Sequence, residues 1–232
     1  MKYGLVTLAF NEERFIEPFL RHIPDWVDKK IVLVSTKPWQ GEPEPRDYTA
    51  DIAREMGATV VENYWPTEES QRNTGQDLCS DCDWVIVLDP DEFLTAEAWD
   101  ELRDFDKDQE AYVPYVQRTY WKDGFVIDPP EDYKQIVLVK PNVRFVDKRV
   151  VNTGYGFLPI ELHHFSWART DDEVWKKISH YSHANEFDKE AWFTDIWSSN
   201  RRENLHPLTP QSLKEAIPAI LPPELEKLKL WP

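Results

Sequence analysis

Trp84-Val85-Ile86-Val87-Leu88-Asp89-Pro90-Asp91-Glu92 decides how this chain is read. Five apolar residues make a run of strand length, and the run stops at three carboxylates set around a proline. In open α/β sheets ligands bind beyond the carboxyl ends of strands, which is where these acids fall. Residues i and i+2 of an extended segment point to one side, so Asp89 and Asp91 can face one ligand while Pro90 stiffens the turn. Two acids held that close repel each other unless a cation sits between them. A hard divalent ion, Mg²⁺ or Mn²⁺, whose oxygen ligands are shared between carboxylates and a substrate phosphate, resolves the repulsion. The bland alternative is a solvated acidic loop.

Upstream of this stretch, β-branched runs alternate with helical periodicity, the pattern of a parallel sheet with crossover helices. Strands are predicted at Tyr3 to Ala9, Lys30 to Ser35, Thr59 to Asn63 and Trp84 to Leu88, with Phe15, Ile16, Phe19, Leu20 and Ile23 at helix spacing between the first two. Downstream, Thr95 can cap a helix that carries Trp99, Leu102 and Phe105 on one side. After residue 110 the texture turns to extended segments, Ala111 to Trp121, Lys134 to Lys140 and Asn142 to Val146, which suggest a mixed or antiparallel half. Thr170-Asp171-Asp172-Glu173 reads as a capping box. The Pro-rich tail from His206 onward carries two short helical pieces, starting near Pro210 and Pro223. The expectation is an α/β domain over residues 1–185, divided at residue 110, with residues 186–232 as a C-terminal extension wrapped on it.

The 232 residues carry 43 Asp and Glu against 27 Lys and Arg, a formal charge of −16, which disfavours extended nucleic acid and anionic membrane surfaces as partners. The acidity is uneven, because Lys134 to Lys177 hold eight Lys or Arg against five Asp or Glu. A locally basic second half facing an acidic turn suits a small diphosphate. Cys79 and Cys82 are too few for a disulfide framework or a structural zinc site and read as reduced helix residues. The N-terminus enters a strand pattern at once and the apolar runs are far short of a membrane span, so the expected location is cytoplasmic, with peripheral membrane contact still open. Eleven Trp are available to fill the core or to stack on sugars, Trp39, Trp65, Trp121 and Trp167 being the groove candidates.

Two further segments flank the acidic turn. Thr7-Leu8-Ala9-Phe10-Asn11-Glu12-Glu13 runs from a strand into a helix, where backbone N–H groups and short polar side chains could hold a base or ribose edge. Ser70-Gln71-Arg72-Asn73-Thr74-Gly75 lies on a predicted helix, and its Arg could meet a phosphate or lock an acid. In this order the three segments resemble the nucleotide-sugar half of family 2 glycosyltransferases with the GT-A fold, where a first-strand Asn-Glu pair, an Arg-Asn-x-Gly helix and a strand-end Asp-x-Asp follow one another. Ile136 to Phe145, Val150-Val151-Asn152, Leu162-His163-His164-Phe165-Ser166-Trp167, and Lys176-Lys177 with Tyr181 resemble the closing segments of a bacterial branch that includes glucosyltransferases of the lipopolysaccharide core.

The resemblance implies a metal-dependent transfer of a sugar from a nucleotide-diphosphate sugar, a UDP-sugar first, to a glycan or other hydroxyl acceptor, with inversion. It implies Asp91, His164 and Asp89 around Mn²⁺ or Mg²⁺, and Thr7, Ala9, Asn11, Glu12, Ser35, Arg72 and Asp89 around the nucleotide. Two departures stand out. The branch carries a Val-His-Glu segment whose acid is a candidate base, whereas here Asn152 cannot accept a proton at neutral pH. The second strand ends in Ser35-Thr36-Lys37 rather than in the acids that read the base. Glu161, Asp132, Glu131 and Asp128 are the remaining candidates for the base. Competing readings are an inactive glycan- or nucleotide-sugar-binding module and a phosphatase-like hydrolase in which Asp89 attacks phosphate. Seven scattered glycines give no P-loop or dinucleotide fingerprint.

Overall fold

The computed structural model describes residues 1–130, 132–199, 203, 205–208 and 214–232. Its first half is built from β1 (Tyr3–Ala9), α1 (Glu13–His22), β2 (Lys29–Ser35), α2 (Thr49–Glu55), β3 (Thr59–Asn63), α3 (Glu68–Leu78), β4 (Trp84–Val87), the two-residue β5 (Glu92–Phe93) and α4 (Ala96–Asp104). The second half has β6 (Ala111–Trp121), β7 (Phe125–Asp128), β8 (Leu138–Val139), β9 (Phe145–Asp147), β10 (Val150–Val151), β11 (Gly156–Trp167), α5 (Asp171–His180), α6 (Lys189–Trp192), β12 (Glu215–Pro218) and α7 (Pro223–Glu226). A turn of π-helix, Phe193–Trp197, follows α6.

β3, β2, β1 and β4 form a parallel block in that order. β8 then pairs antiparallel with both β4 and β6, and β7 and β12 continue the sheet antiparallel. β11 runs parallel to β6, and β5 pairs antiparallel with β11. The result is a mixed α/β sheet flanked by helices. Alternation places Trp84, Ile86 and Leu88 in one apolar cluster with Phe15, Phe19 and Trp99, and Val85 and Val87 in the other with Val6, Leu8 and Phe145. A strand buried on both faces needs no polar residues until it ends, which is why the apolar run halts only at Asp89.

Several sequence expectations need adjustment. Of Lys134 to Lys140 only Leu138–Val139 forms a strand, squeezed between β4 and β6, and the segment expected at Asn142 to Val146 starts later, at Phe145. The sequence predicts two short helical pieces in the tail, yet Glu215–Pro218 adds an edge strand on β7, where the Pro at its end has no ladder bond to lose. The helix predicted near Pro223 is present as Pro223–Glu226, and Leu225 and Leu230 join the main core. The piece expected near Pro210 lies outside the described residues. Trp121 packs with Trp167, Trp192 and Trp197 in a third cluster, and Trp65 is buried with its indole N–H on Thr74, so both serve the core.

Cys79 and Cys82 are free and buried, and burial first of all pushes the Cys79 thiol up to about 12. A Cβ on Gly4 would lie 2.6 Å from the Cys79 sulfur, so strand and helix end are in direct contact there. Because the thiolate is the reactive form, native Cys79 should stay unlabelled by an aromatic disulfide reagent at pH 8. Urea should release both thiols, which a spectrophotometric thiol count checks.

Candidate active site

A cavity of about 1200 Å³ opens at the carboxyl ends of β1, β2 and β4 and is closed by β6, β11 and α5; Ala9, Ser35, Asp89, Asp91, Thr119 and Lys177 are among its lining. The sheet order explains the location: crossover connections leave strand ends free on one edge.

Asp91 lies at the centre. Antiparallel pairing of β5 with β11 puts Glu92 opposite His164, and the Asp91 carbonyl accepts a hydrogen bond from Phe165 N at 2.7 Å. One oxygen of the buried Asp91 carboxylate, Oδ2, accepts from Arg169 Nη2 and from Lys177 Nζ, each at 2.8 Å. The other, Oδ1, faces His164 Nε2 at 3.5 Å. Burial opposes its ionisation, but Lys177, His164 and Arg169 together outweigh burial and hold Asp91 well below the usual carboxylate range. Arg169 also reaches both oxygens of Glu12, at 3.2 and 3.0 Å. Burial nevertheless raises Glu12, against the pull of Arg169.

Asp89 belongs to a second set. Arg72 Nη2 contacts both of its oxygens, at 3.1 and 3.0 Å, while Arg72 Nε and Nη2 hold Glu68 Oε1. Arg149 grips the fully buried Glu92 with both terminal nitrogens, donates to the Val87 carbonyl and stands 3.5 Å from Asp89. Glu68, Arg72, Asp89, Arg149 and Glu92 therefore form one row of alternating charge.

The segment Arg72-Asn73-Thr74-Gly75 is explained residue by residue. Arg72 enters the charged row. Asn73 exchanges two hydrogen bonds with the Phe145 backbone, at 2.9 and 3.0 Å, pinning the β9–β10 hairpin to α3. Gly75 lets α3 lie on β1, since a Cβ there would come within 2.3 Å of Val6.

Other sequence candidates divide clearly. Ala9, Asn11, Glu12 and Ser35 line the cavity, whereas Thr7 is buried within β1 and is not in the wall. Asn11 adopts φ 53°, and its side chain donates to the Pro45 carbonyl and accepts from Asp47 N, so it staples the loop before α2. Ser35 donates to the Lys37 carbonyl. Asn152 accepts from Arg144 N and closes the hairpin. Glu161 lies away from the cavity, bonded to Arg118 at 2.6 Å and beside His163 at 3.5 Å. His163 is buried against the Tyr120 hydroxyl, and burial pushes it down to about 4, a neutral core histidine. Asp132 lines the cavity with its side chain almost wholly exposed, 3.6 Å from Lys214 Nζ. Asp128 ends β7 outside the wall, and Glu131 lies outside the described residues.

No motif in the sequence singles out Arg149 or Arg169; the net basic balance of residues 134–177 is the one signal that points to their segment. Among the described residues no group of three or more His, Cys, Asp or Glu is arranged to hold a metal ion. The Asp91 Oδ1 and His164 Nε2 pair offers one carboxylate oxygen and one imidazole nitrogen; the carboxylate fits a hard ion that draws its other ligands from water and phosphate, while the imidazole suits a softer divalent ion than Mg²⁺. Asp89 is committed to Arg72 and Arg149.

No protein-family model matches the chain. It is 30% identical over 142 residues to a TPR repeat-containing protein of Synechococcus elongatus, covering 61% of this chain and 33% of that protein. It is 30% identical over 116 residues to an uncharacterized glycosyltransferase of Rickettsia bellii, covering 49% and 36%. The chain thus spans about a third of the length of these curated relatives. Among solved structures, glucosyl-3-phosphoglycerate synthase of Mycobacterium tuberculosis, in complex with Mn²⁺, UDP-glucose and phosphoglyceric acid, aligns with TM-score 0.40 and 22% identity over 49% of this chain and 43% of that one. The chain is a homologue of bacterial proteins described as glycosyltransferases.

Proposed function

We propose that this glycosyltransferase homologue moves a sugar from a nucleoside-diphosphate donor, a UDP-sugar first, to an acceptor hydroxyl in the cavity at the end of β4. The observation that carries this reading is Asp91: a buried carboxylate whose Oδ1 pairs with His164 while Lys177 and Arg169 flank its other oxygen. A diphosphate needs a cation and cationic side chains at one point, and this arrangement offers both kinds of contact. In the proposal Asp91 and His164 hold Mn²⁺ or Mg²⁺, which when bound would stabilise charge developing on the leaving diphosphate.

The remaining roles fall to the chain itself. Lys177, already in the wall, can turn from Asp91 to a phosphate oxygen. Arg169 keeps Asp91 and Glu12 in place. Arg72 and Arg149 fix Asp89 so that it presents one orientation to the donor ribose. Among the acids first considered as base, Asp132 lines the cavity and is proposed to take the acceptor proton, giving inversion if it lies opposite the leaving group.

The reaction is assigned to the cytoplasm, where two reduced cysteines persist. Among the described residues no helix is long and apolar enough to cross a membrane. The test is release of nucleoside diphosphate from a panel of nucleotide sugars with and without Mn²⁺ or Mg²⁺. A metal-stimulated release with at least one donor is expected. Glycan binding without release from any donor would favour the binding-module reading, which the Asn152 departure keeps in view. Release of phosphate from simple monoesters would favour the hydrolase.

A further inference from the structure

The wall of the cavity that runs along β6 differs in chemistry from the charged end. Thr119 is the register partner of His164 on β11, so it stands one strand spacing from the Asp91–His164 pair. Gln117, two residues earlier on the same face, lies roughly 7 Å farther along. Both are buried, at 3% exposure each, and both line the cavity. Gln135 joins them: its backbone N–H donates to Gln117 Oε1 at 3.1 Å, which leaves Gln117 Nε2 as the spare donor of that amide. Among the described residues, Thr119 Oγ1 and Gln135 Oε1 are buried without a hydrogen-bond partner.

Buried polar atoms without partners cost stability, so a wall that collects them is poised for a ligand that supplies the missing bonds. The set comprises the N–H₂ of the Gln117 amide, the Gln135 amide with its unpaired Oε1 and one hydroxyl that both donates and accepts, and it carries no charge. The cations nearby are engaged, Arg149 with Glu92 and the Val87 carbonyl, Lys214 with the Pro130 carbonyl. Asp132 and Asp147 add negative charge to the same cavity.

We infer that Gln117, Thr119 and Gln135 form a subsite for the neutral hexosyl group of the donor, selecting it over an anionic sugar through hydroxyl hydrogen bonds. The inference rests on the proposed donor reading and deepens it. A sugar joined to a diphosphate at Asp91 and His164 meets Thr119 first and Gln117 next, in the order in which its hydroxyls become available.

Binding, which needs no turnover, provides the test. Calorimetry with UDP, UDP-glucose and UDP-glucuronate, or with GDP, GDP-mannose and GDP-mannuronate if the uridine series does not bind, measures what the sugar adds. The neutral sugar should tighten binding at least about fivefold over the nucleoside diphosphate, the gain of one or two neutral hydrogen bonds, and the uronate should not. Thr119→Val and Gln117→Met should each remove most of that gain and leave nucleoside diphosphate binding within about twofold, which also shows that the variants fold. Thr119→Ser should retain it. A gain that survives both substitutions, a uronate that binds as tightly as the hexose, or an effect confined to acceptor KM would overturn the inference, and so would failure of both series to bind. Intact sugar-dependent binding without transfer to any acceptor would instead sink the proposed activity and leave the subsite standing.

Discussion

Asp91→Asn should lower the rate of nucleoside diphosphate release by about a hundred- to a thousandfold, the scale of losing one preorganised electrostatic contact in a water-poor site. Asn keeps the volume and one acceptor, so the change isolates the charge. In the native protein that charge is buried and holds Lys177 and Arg169 on one oxygen while the other meets His164. Without it Lys177 loses its carboxylate, Arg169 is left to Glu12, and the pair offered to a divalent ion is reduced to a lone imidazole and a neutral amide. The loss should appear in kcat rather than in nucleoside diphosphate affinity measured without metal, where the freed Lys177 can still bind phosphate. A variant as active as the native protein, with the same metal response, would remove Asp91 from the reaction and with it the proposed function.

The largest effect on stability should come from Arg149→Met, about 3 to 5 kcal/mol in urea unfolding. Glu92 is fully buried, Arg149 reaches both its oxygens, and the Asp89 N–H donates to Oε2 as well. Methionine fills much of the same space but leaves the carboxylate with the Asp89 N–H in place of a countercharge, and the Val87 carbonyl loses the Arg149 donor as well. Adding Glu92→Gln should recover part of the loss, because the uncompensated charge, rather than the missing contact, makes up most of the penalty. If the single variant unfolds at the native urea midpoint, the ion pair is not holding the hairpin to the end of β4. Equal losses in the single and double variants would put the cost in packing instead.

The two predictions concern residues of unequal visibility in the sequence. Asp91 is legible because it ends an apolar run, and strand ends are where α/β sheets keep their ligands; the limits of β1 and β3 follow from the same periodicity. Arg149 and Arg169 are not legible in this way. A lone arginine in a turn has no period, and its partners lie 57 and 78 residues away in the chain, so only the folded sheet brings them together. The paired histidines show both cases at once: alternation correctly separates His163 from His164, but it says nothing of Tyr120, which makes the first of them a core residue. β12 is not legible in the sequence because an edge strand needs neither a long apolar run nor a full set of N–H donors. Glu161 was attractive for its nearness in sequence to the histidines, and the same alternation turns it to Arg118.

The row Glu68, Arg72, Asp89, Arg149 and Glu92 draws on three distant parts of the chain: α3, the end of β4, and the hairpin between β9 and β10. Replacing either arginine strands an end carboxylate, Glu68 or Glu92, whereas replacing Asp89 leaves each arginine one acid. Descendants of this sequence should therefore exchange Arg72 together with Glu68, and Arg149 together with Glu92, or keep them, so that Arg149 and Glu92 covary across a separation that local sequence drift does not couple.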